Sequence, residues 1–122
     1  SIVLITENSD GLVGFTWGYK LPLDKFPFLE GKINENSIYM DEIAVKANKR
    51  FKGIGTNLGK KFIETTKQQG LSGIVLRTDE RNKASMALFK KLGFSDIPDS
   101  KSPRGKIYDP EFPDRIYLQK EL

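Results

Sequence analysis

Residues 38–92 read strand, helix, strand, helix, and no other feature of the chain narrows its fold so far. "IYMDEIAV" (38–45) is a strand, apolar over most of its length, with two acids in its middle. From Thr56 to Gln69 the positions Leu58, Phe62, Ile63 and Thr66 recur at helical spacing, and Gly70 ends the run. "SGIVLRT" (72–78) is an apolar strand of the kind found inside a sheet. A second helix, capped by Asn82 or the preceding Asp79, runs to Leu92 with Met86, Leu88, Phe89 and Leu92 on its inner face. Gly93 stops it. Strands joined through a helix pair in parallel by a right-handed crossover, so a parallel pair belongs at the heart of the sheet.

The flanks add antiparallel strands. "SIVLITE" (1–7), the turn "NSDG" and the alternating "LVGFTWGYKL" (12–21) predict a hairpin. Residues 22–37, with two prolines, predict a partly packed loop with one short helical turn. Two weaker strands follow, at 94–97 and 115–120, on either side of a proline-rich loop. A chain of 122 residues supports one core, so residues 1–122 form a single domain. The fold class is α/β (α+β): a mixed, mostly antiparallel sheet with flanking helices.

Between the first strand–helix pair lies "KRFKGIGTNLGKKF" (49–62), a basic cluster with two closely spaced glycines at a helix start. Glycines in a surface turn are the bland reading. A phosphate-binding P-loop fails, because the residue five after Gly53 is Leu58 and Lys60 is followed by Lys61. A dinucleotide fingerprint is weak, because seven residues separate Val45 from Gly53 and the chain has no room for a second mononucleotide half.

The stretch Arg50-Phe51-Lys52-Gly53-Ile54-Gly55 matches R/Q-x-x-G-x-G/A, and "NKASMALFKKLGF" (82–94) matches N-x-x-A/S-x-x-L-Y/F-x-x-x-G-F. With these two motifs in order across residues 38–94, the chain resembles the GNAT family of N-acetyltransferases. Physics accounts for the first motif: N–H groups at a helix N-terminus bind anions, and glycines let the backbone approach a pyrophosphate.

The resemblance implies a central parallel strand pair that splays apart, with acetyl-coenzyme A (acetyl-CoA) inserted like a missing strand. Backbone groups of Ile43, Ala44 and Val45 would pair with the pantetheine arm, and the Val45 N–H would stabilise the developing oxyanion. Arg50, Phe51, Lys52, Gly53, Ile54, Gly55 and Thr56 would wrap the pyrophosphate. Asn82 would bond the pantetheine arm with support from Ser85; helix capping is their ordinary role. Lys49, Lys52, Lys90 and Lys91 are candidates for the 3′-phosphate, or simply a solvated basic face. Phe89 stands where many relatives carry a tyrosine that protonates the leaving thiolate; it has no proton to give and is expected to pack beside the cofactor. Water, Tyr117, Tyr108 or no acid at all then serves the leaving group.

The chain has no cysteine and no histidine, which removes disulfides, thiolate chemistry and the usual base. Carboxylates are left for a base. Asp41 and Glu42 are adjacent on a strand, so simple alternation points them to opposite faces. Glu42 is favoured as base, Asp41 is the alternative, and a surface salt bridge is the bland reading. No metal is expected.

No apolar run reaches the length of a membrane span and no signal-peptide pattern opens the chain, so a cytoplasmic protein without membrane partners is expected. The net charge of +4 favours an anionic ligand but does not demand nucleic acid. The expected activity is transfer of acetyl from acetyl-CoA to a primary amine in a ternary complex. A non-catalytic acyl-CoA-binding domain is the alternative, ahead of a nucleic-acid module built on "KANKRFK". The resemblance implies that the chain opens at the counterpart of the family's second strand, without the usual first strand and two helices, so either it is a piece of a longer protein or another element substitutes for them. Loops 22–37 and 98–114 are then candidate walls for the acceptor, or packing for an exposed sheet edge. That edge predicts homodimerisation or strand exchange.

Overall fold

The computed structural model describes residues 1–9, 11–46 and 53–122. Six strands form one sheet: β1 (Ile2–Asn8), β2 (Gly11–Lys20), β3 (Ser37–Val45), β4 (Gly73–Asp79), β5 (Ser95–Asp96) and β6 (Arg115–Glu121). Their spatial order is β1-β2-β3-β4-β6-β5, and every pair is antiparallel except β3–β4. The crossover between those parallel strands is α1 (Ile54–Gln68); α2 (Lys83–Lys91) follows β4. Residues 22–37 contribute the expected short turn, a 3₁₀ segment at Pro27–Leu29.

One sheet face carries both helices. Phe62 from α1, Phe89 from α2 and Leu92 at its C-cap bury against Ile38, Met40, Ile74, Leu76, Ile116 and Leu118. The two helices approach closely at Gly59, where a Cβ would collide with Leu92. On the opposite face the loops do the covering. Leu29 and Ile107 pack with Tyr39, Val75, Ile97 and Tyr117, while Lys32 and Asp99 tie the two loops together at 3.3 Å. The loops therefore cover the second sheet face over β3, β4 and β6. Val3, Ile5 and Trp17, on the β1–β2 part of the sheet, stay exposed.

Two interruptions of regularity shape the centre of the sheet. β3 runs to Val45, yet its pairing with β4 covers only Ser37↔Gly73 to Met40↔Leu76. Beyond that point both strands continue and part. On its other edge β3 stays paired with β2, but the register jumps from Trp17↔Glu42 to Gly18↔Met40. Asp41 is thus the extra residue of a β-bulge, a device that re-aims side chains.

Gly18 makes that bulge possible. A Cβ there would lie 2.5 Å from the Tyr39 carbonyl oxygen and 2.7 Å from Phe62 Cζ. Neither neighbour can yield, one being backbone and the other fully buried. Gly18→Ala is expected to lower stability by about 1–3 kcal/mol, the usual cost of overpacking. A thermal melt with no measurable drop would show that the sheet can shift there.

Candidate active site

Where β3 and β4 part, the sheet opens into a cleft of about 510 Å³. Its walls are Ile43, Ala44 and Val45 of β3, the start of α1 from Gly53 to Thr56, and one side of α2 from Asn82 to Lys91. Three segments separated in sequence thus meet, because β4 brings its following helix alongside the helix that follows β3.

The β3 edge presents backbone. Lys46 N–H donates to Val13 O at 2.9 Å, so Lys46 is turned toward β2. Backbone groups alternate sides along a strand, which turns Val45 and Ile43 the other way, into the cleft, and Ala44 toward β2. Ile43 and Val45 keep their side chains on the helix face: Ile43 packs on the core, and Val45 Cγ2 lies 3.6 Å from where a Gly55 Cβ would stand. Among the described residues nothing pairs with this edge of β3 beyond Met40, so the cleft has an open strand edge along one side.

The opposite wall is an anion site. Gly53, at φ 76°, is the N-cap of α1, a left-handed conformation that favours glycine. The first intrahelical bond runs from Asn57 N–H to Gly53 O at 3.0 Å, which leaves the N–H groups of the first turn unpaired within the helix. No acidic side chain occupies that turn. The helix dipole adds a partial positive charge at the same place. Arg50, Phe51, Lys52 and Lys49 lie outside the described residues.

Asn82 caps α2, its Oδ1 accepting from Ser85 N–H at 3.1 Å. Both residues line the cleft, and the Asn82 amide NH₂ keeps its donors. Of the lysines considered for the 3′-phosphate, Lys91 lines the cleft. Phe89 does not. It is 5% exposed, its ring centroid 5.8 Å from that of Phe94 in the core, with Leu88 taking the cleft position. Among the described residues no cluster of acids is arranged to hold a metal ion.

The bulge overturns one expectation. Asp41 and Glu42 do not face opposite ways. The Tyr19 hydroxyl donates to Asp41 Oδ2 at 2.8 Å, and Tyr19 packs on the face away from the helices. Glu42 lies directly across from Trp17, whose ring contacts Tyr19 at 5.5 Å on that same face. The extra residue places both carboxylates together, exposed, on the loop side of the sheet at the point where β3 leaves β4. Thr16 Oγ1, bonded to the Glu42 carbonyl at 2.8 Å, holds the bulge from the helix side.

Tyr117 lies one strand further, on β6, opposite Arg77 of β4. Phe26 and Phe28 pack edge-on against it at 5.8 and 5.1 Å. Burial pushes its hydroxyl pKa up, and a hydrogen bond from Arg77 works against that. Tyr117 does not line the cleft. Tyr108, with Phe28, borders a separate cavity of about 240 Å³ between the two loops.

The model of the acetyltransferase (GNAT) family matches residues 1–94. The chain belongs to that family. Among curated relatives, thialysine N-epsilon-acetyltransferase of Bos taurus is 36% identical over 64 residues, spanning 52% of this chain and 38% of its own. N-alpha-acetyltransferase 30 of Homo sapiens is 36% identical over 75 residues, 62% of this chain and 19% of its own. The chain thus spans well under half the length of these relatives. Among solved structures, the IAA acetyltransferase of Bacillus cereus superposes with a TM-score of 0.71 at 23% identity, over 98% of this chain and 77% of that one. The PaiA N-acetyltransferase of Thermoplasma acidophilum, a complex with coenzyme A, gives 0.69 at 16% identity over 99% and 60%. At these identities the structures establish the fold, a GNAT sheet with one parallel pair.

Proposed function

We propose that this domain moves an acetyl group from acetyl-CoA to a primary amine by direct transfer in a ternary complex. The observation that carries the reading is the parting of β3 and β4, with a strand edge on one side that no described residue pairs and, on the other, a helix N-terminus whose first-turn N–H groups have no partner within the helix. A pantetheine arm has amides to pair with the first, and a pyrophosphate has charge for the second. Both curated relatives bear the names of enzymes acting on amines, one ε and one α.

Each residue then has a task. Ile43 and Val45 hold the arm through backbone, and the Val45 N–H stabilises negative charge growing on the thioester oxygen. Gly53 to Thr56 hold the pyrophosphate, with Asn82 and Ser85 against the arm. Acetyl-CoA supplies the activated thioester. The amine nitrogen forms a bond to the acetyl carbon, the carbon–sulfur bond breaks, and coenzyme A leaves as its thiolate.

Glu42 accepts the amine's proton. A lysine-like amine with pKa near 10.4 is neutral in only about one molecule in 2,500 at pH 7, a handicap of roughly 4.6 kcal/mol. Glu42 suits the task better than Asp41, whose carboxylate is engaged by Tyr19. The thiolate, with a thiol-like pKa, departs into an open cleft without a dedicated acid. Tyr117→Phe is accordingly expected to leave kcat within about threefold of wild type, against the 10²-fold or greater loss that removal of a proton donor brings. A larger loss in steady-state assays would give Tyr117 the acid's role.

The deciding experiment measures thiol release from acetyl-CoA across a panel of amines. Amine-dependent release supports the reading. Stabilisation by acetyl-CoA without release for any amine would mark a binding domain instead.

A further inference from the structure

Resting on that reading, we propose that the acceptor carries a carboxylate close to its reacting amine, and that Arg77 is the residue that selects it. Pairing of β3 with β4 proceeds through Tyr39↔Val75 and Met40↔Leu76 and then stops. The next two residues, Asp41 and Arg77, would have been partners. They flank the gap instead, one on each bank.

Both stand on the loop side. Val75 packs among the residues of that face, and Arg77 lies two residues further along a strand whose pairing with β6 is unbroken. Asp41 is fixed there by Tyr19. Arg77 is exposed, and among the described residues no ion pair joins it to a carboxylate. Arg77 stands directly across from Tyr117 on β6, and its charge opposes the rise that burial gives the hydroxyl pKa values of Tyr19, Tyr39 and Tyr117 on the same side of the sheet.

The chemistry follows from this placement. On that reading acetyl-CoA would fill the gap between β3 and β4 while the helices cover one sheet face, so the amine would approach from the other face, which carries Glu42. On that approach it meets negative charge on the β3 bank and a single guanidinium on the β4 bank. Paired strands are about 4.8 Å apart, and these have begun to separate, which matches the few bonds between the amine and carboxylate of a short amino acid. Guanidinium donors bind carboxylates in a two-pronged geometry that an ammonium cannot reproduce.

The test compares β-alanine with its carboxamide as acceptors for wild-type protein and for Arg77→Gln and Arg77→Lys. Wild type is expected to favour the acid over what Arg77→Gln shows, so that the acid-to-amide ratio of kcat/KM falls at least tenfold in that variant, about 1.4 kcal/mol. The change should lie mainly in KM, and Arg77→Lys should recover part of it. A structural role for Arg77, through its contact with Tyr117, would depress both acceptors alike and leave the ratio unmoved, which overturns the proposal. Acetylation of some other amine but neither of these overturns it while the acetyltransferase reading stands. Acetylation of no amine at all removes both.

Discussion

Glu42→Gln is expected to lower kcat by about 10²–10⁴-fold, the range that positioned general bases supply, while acetyl-CoA affinity changes little. The substitution keeps the shape of the side chain and removes only its ability to take a proton. Glu42 is exposed, so its loss leaves no buried charge and should not disturb the fold. Its backbone stays in the ladder opposite Trp17 and keeps the Thr16 bond, so the bulge should survive. The separation of kcat from Kd is what identifies a base. Loss of both together would indicate a collapsed bulge, and an unchanged kcat would move the role to Asp41 or to water. Asp41→Asn serves as the companion variant. It retains an oxygen to accept from Tyr19, so a small effect there beside a large one at Glu42 fixes which carboxylate acts.

That assignment shows where the sequence is readable and where it stops. The strand–helix–strand–helix core follows from spacing alone: Leu58, Phe62 and Thr66 are buried on α1, and Phe89 and Leu92 on or just after α2. The hairpin and the Asn82 cap are legible for the same reason, since each depends on residues close in sequence. Alternation cannot give the facing of Asp41 and Glu42, because it assumes an unbroken ladder and the bulge depends on what β2 places opposite. A signal was present nonetheless. Met40 and Ile43 are both apolar and three apart, a spacing that cannot share one face of a regular strand, yet both reach the helix-side core. A glycine on the partner strand at Gly18 completes the pattern.

Arg77 is illegible for a related reason. In "SGIVLRT" it reads as the polar end of an interior strand, and nothing local reveals that the neighbouring strand has already departed. The loops pose a different problem. Phe26, Leu29 and Ile107 announce that something will be packed, but which face they cover is decided by the helices having taken the other. Composition excluded chemistry well, since absence of histidine and cysteine needs no geometry. It could not say which carboxylate stands beside the gap.

The second large effect is expected at the opposite wall. Gly55→Val should weaken acetyl-CoA binding by about 10–100-fold, or 1.4–2.8 kcal/mol. Gly55 lies in the first turn of α1, and a Cβ there would stand 3.6 Å from both Leu88 Cδ2 and Val45 Cγ2. Those are ordinary contacts, so the fold accepts a side chain. They are also the two sides of the cleft, so further methyl groups would stand between β3 and α2 where the pyrophosphate must meet the helix. Charge-assisted hydrogen bonds contribute about 1.5–3 kcal/mol each, and a side chain that keeps the phosphates away from even one accounts for the expected loss. Gly55→Ala separates bulk from backbone. It adds only the Cβ, should stabilise the helix by about 0.5–1 kcal/mol, and should cost less affinity than valine. Gly53 offers the contrasting control. No described atom beyond its chain neighbours lies within 4 Å of where its Cβ would stand, but its φ of 76° makes any side chain strained, so Gly53→Ala should act on stability. Calorimetry with acetyl-CoA, alongside thermal melts, reads all three. Equal affinity for a folded Gly55→Val protein would mean that the phosphates do not pass over the N-terminus of α1, and the cleft would then need another occupant.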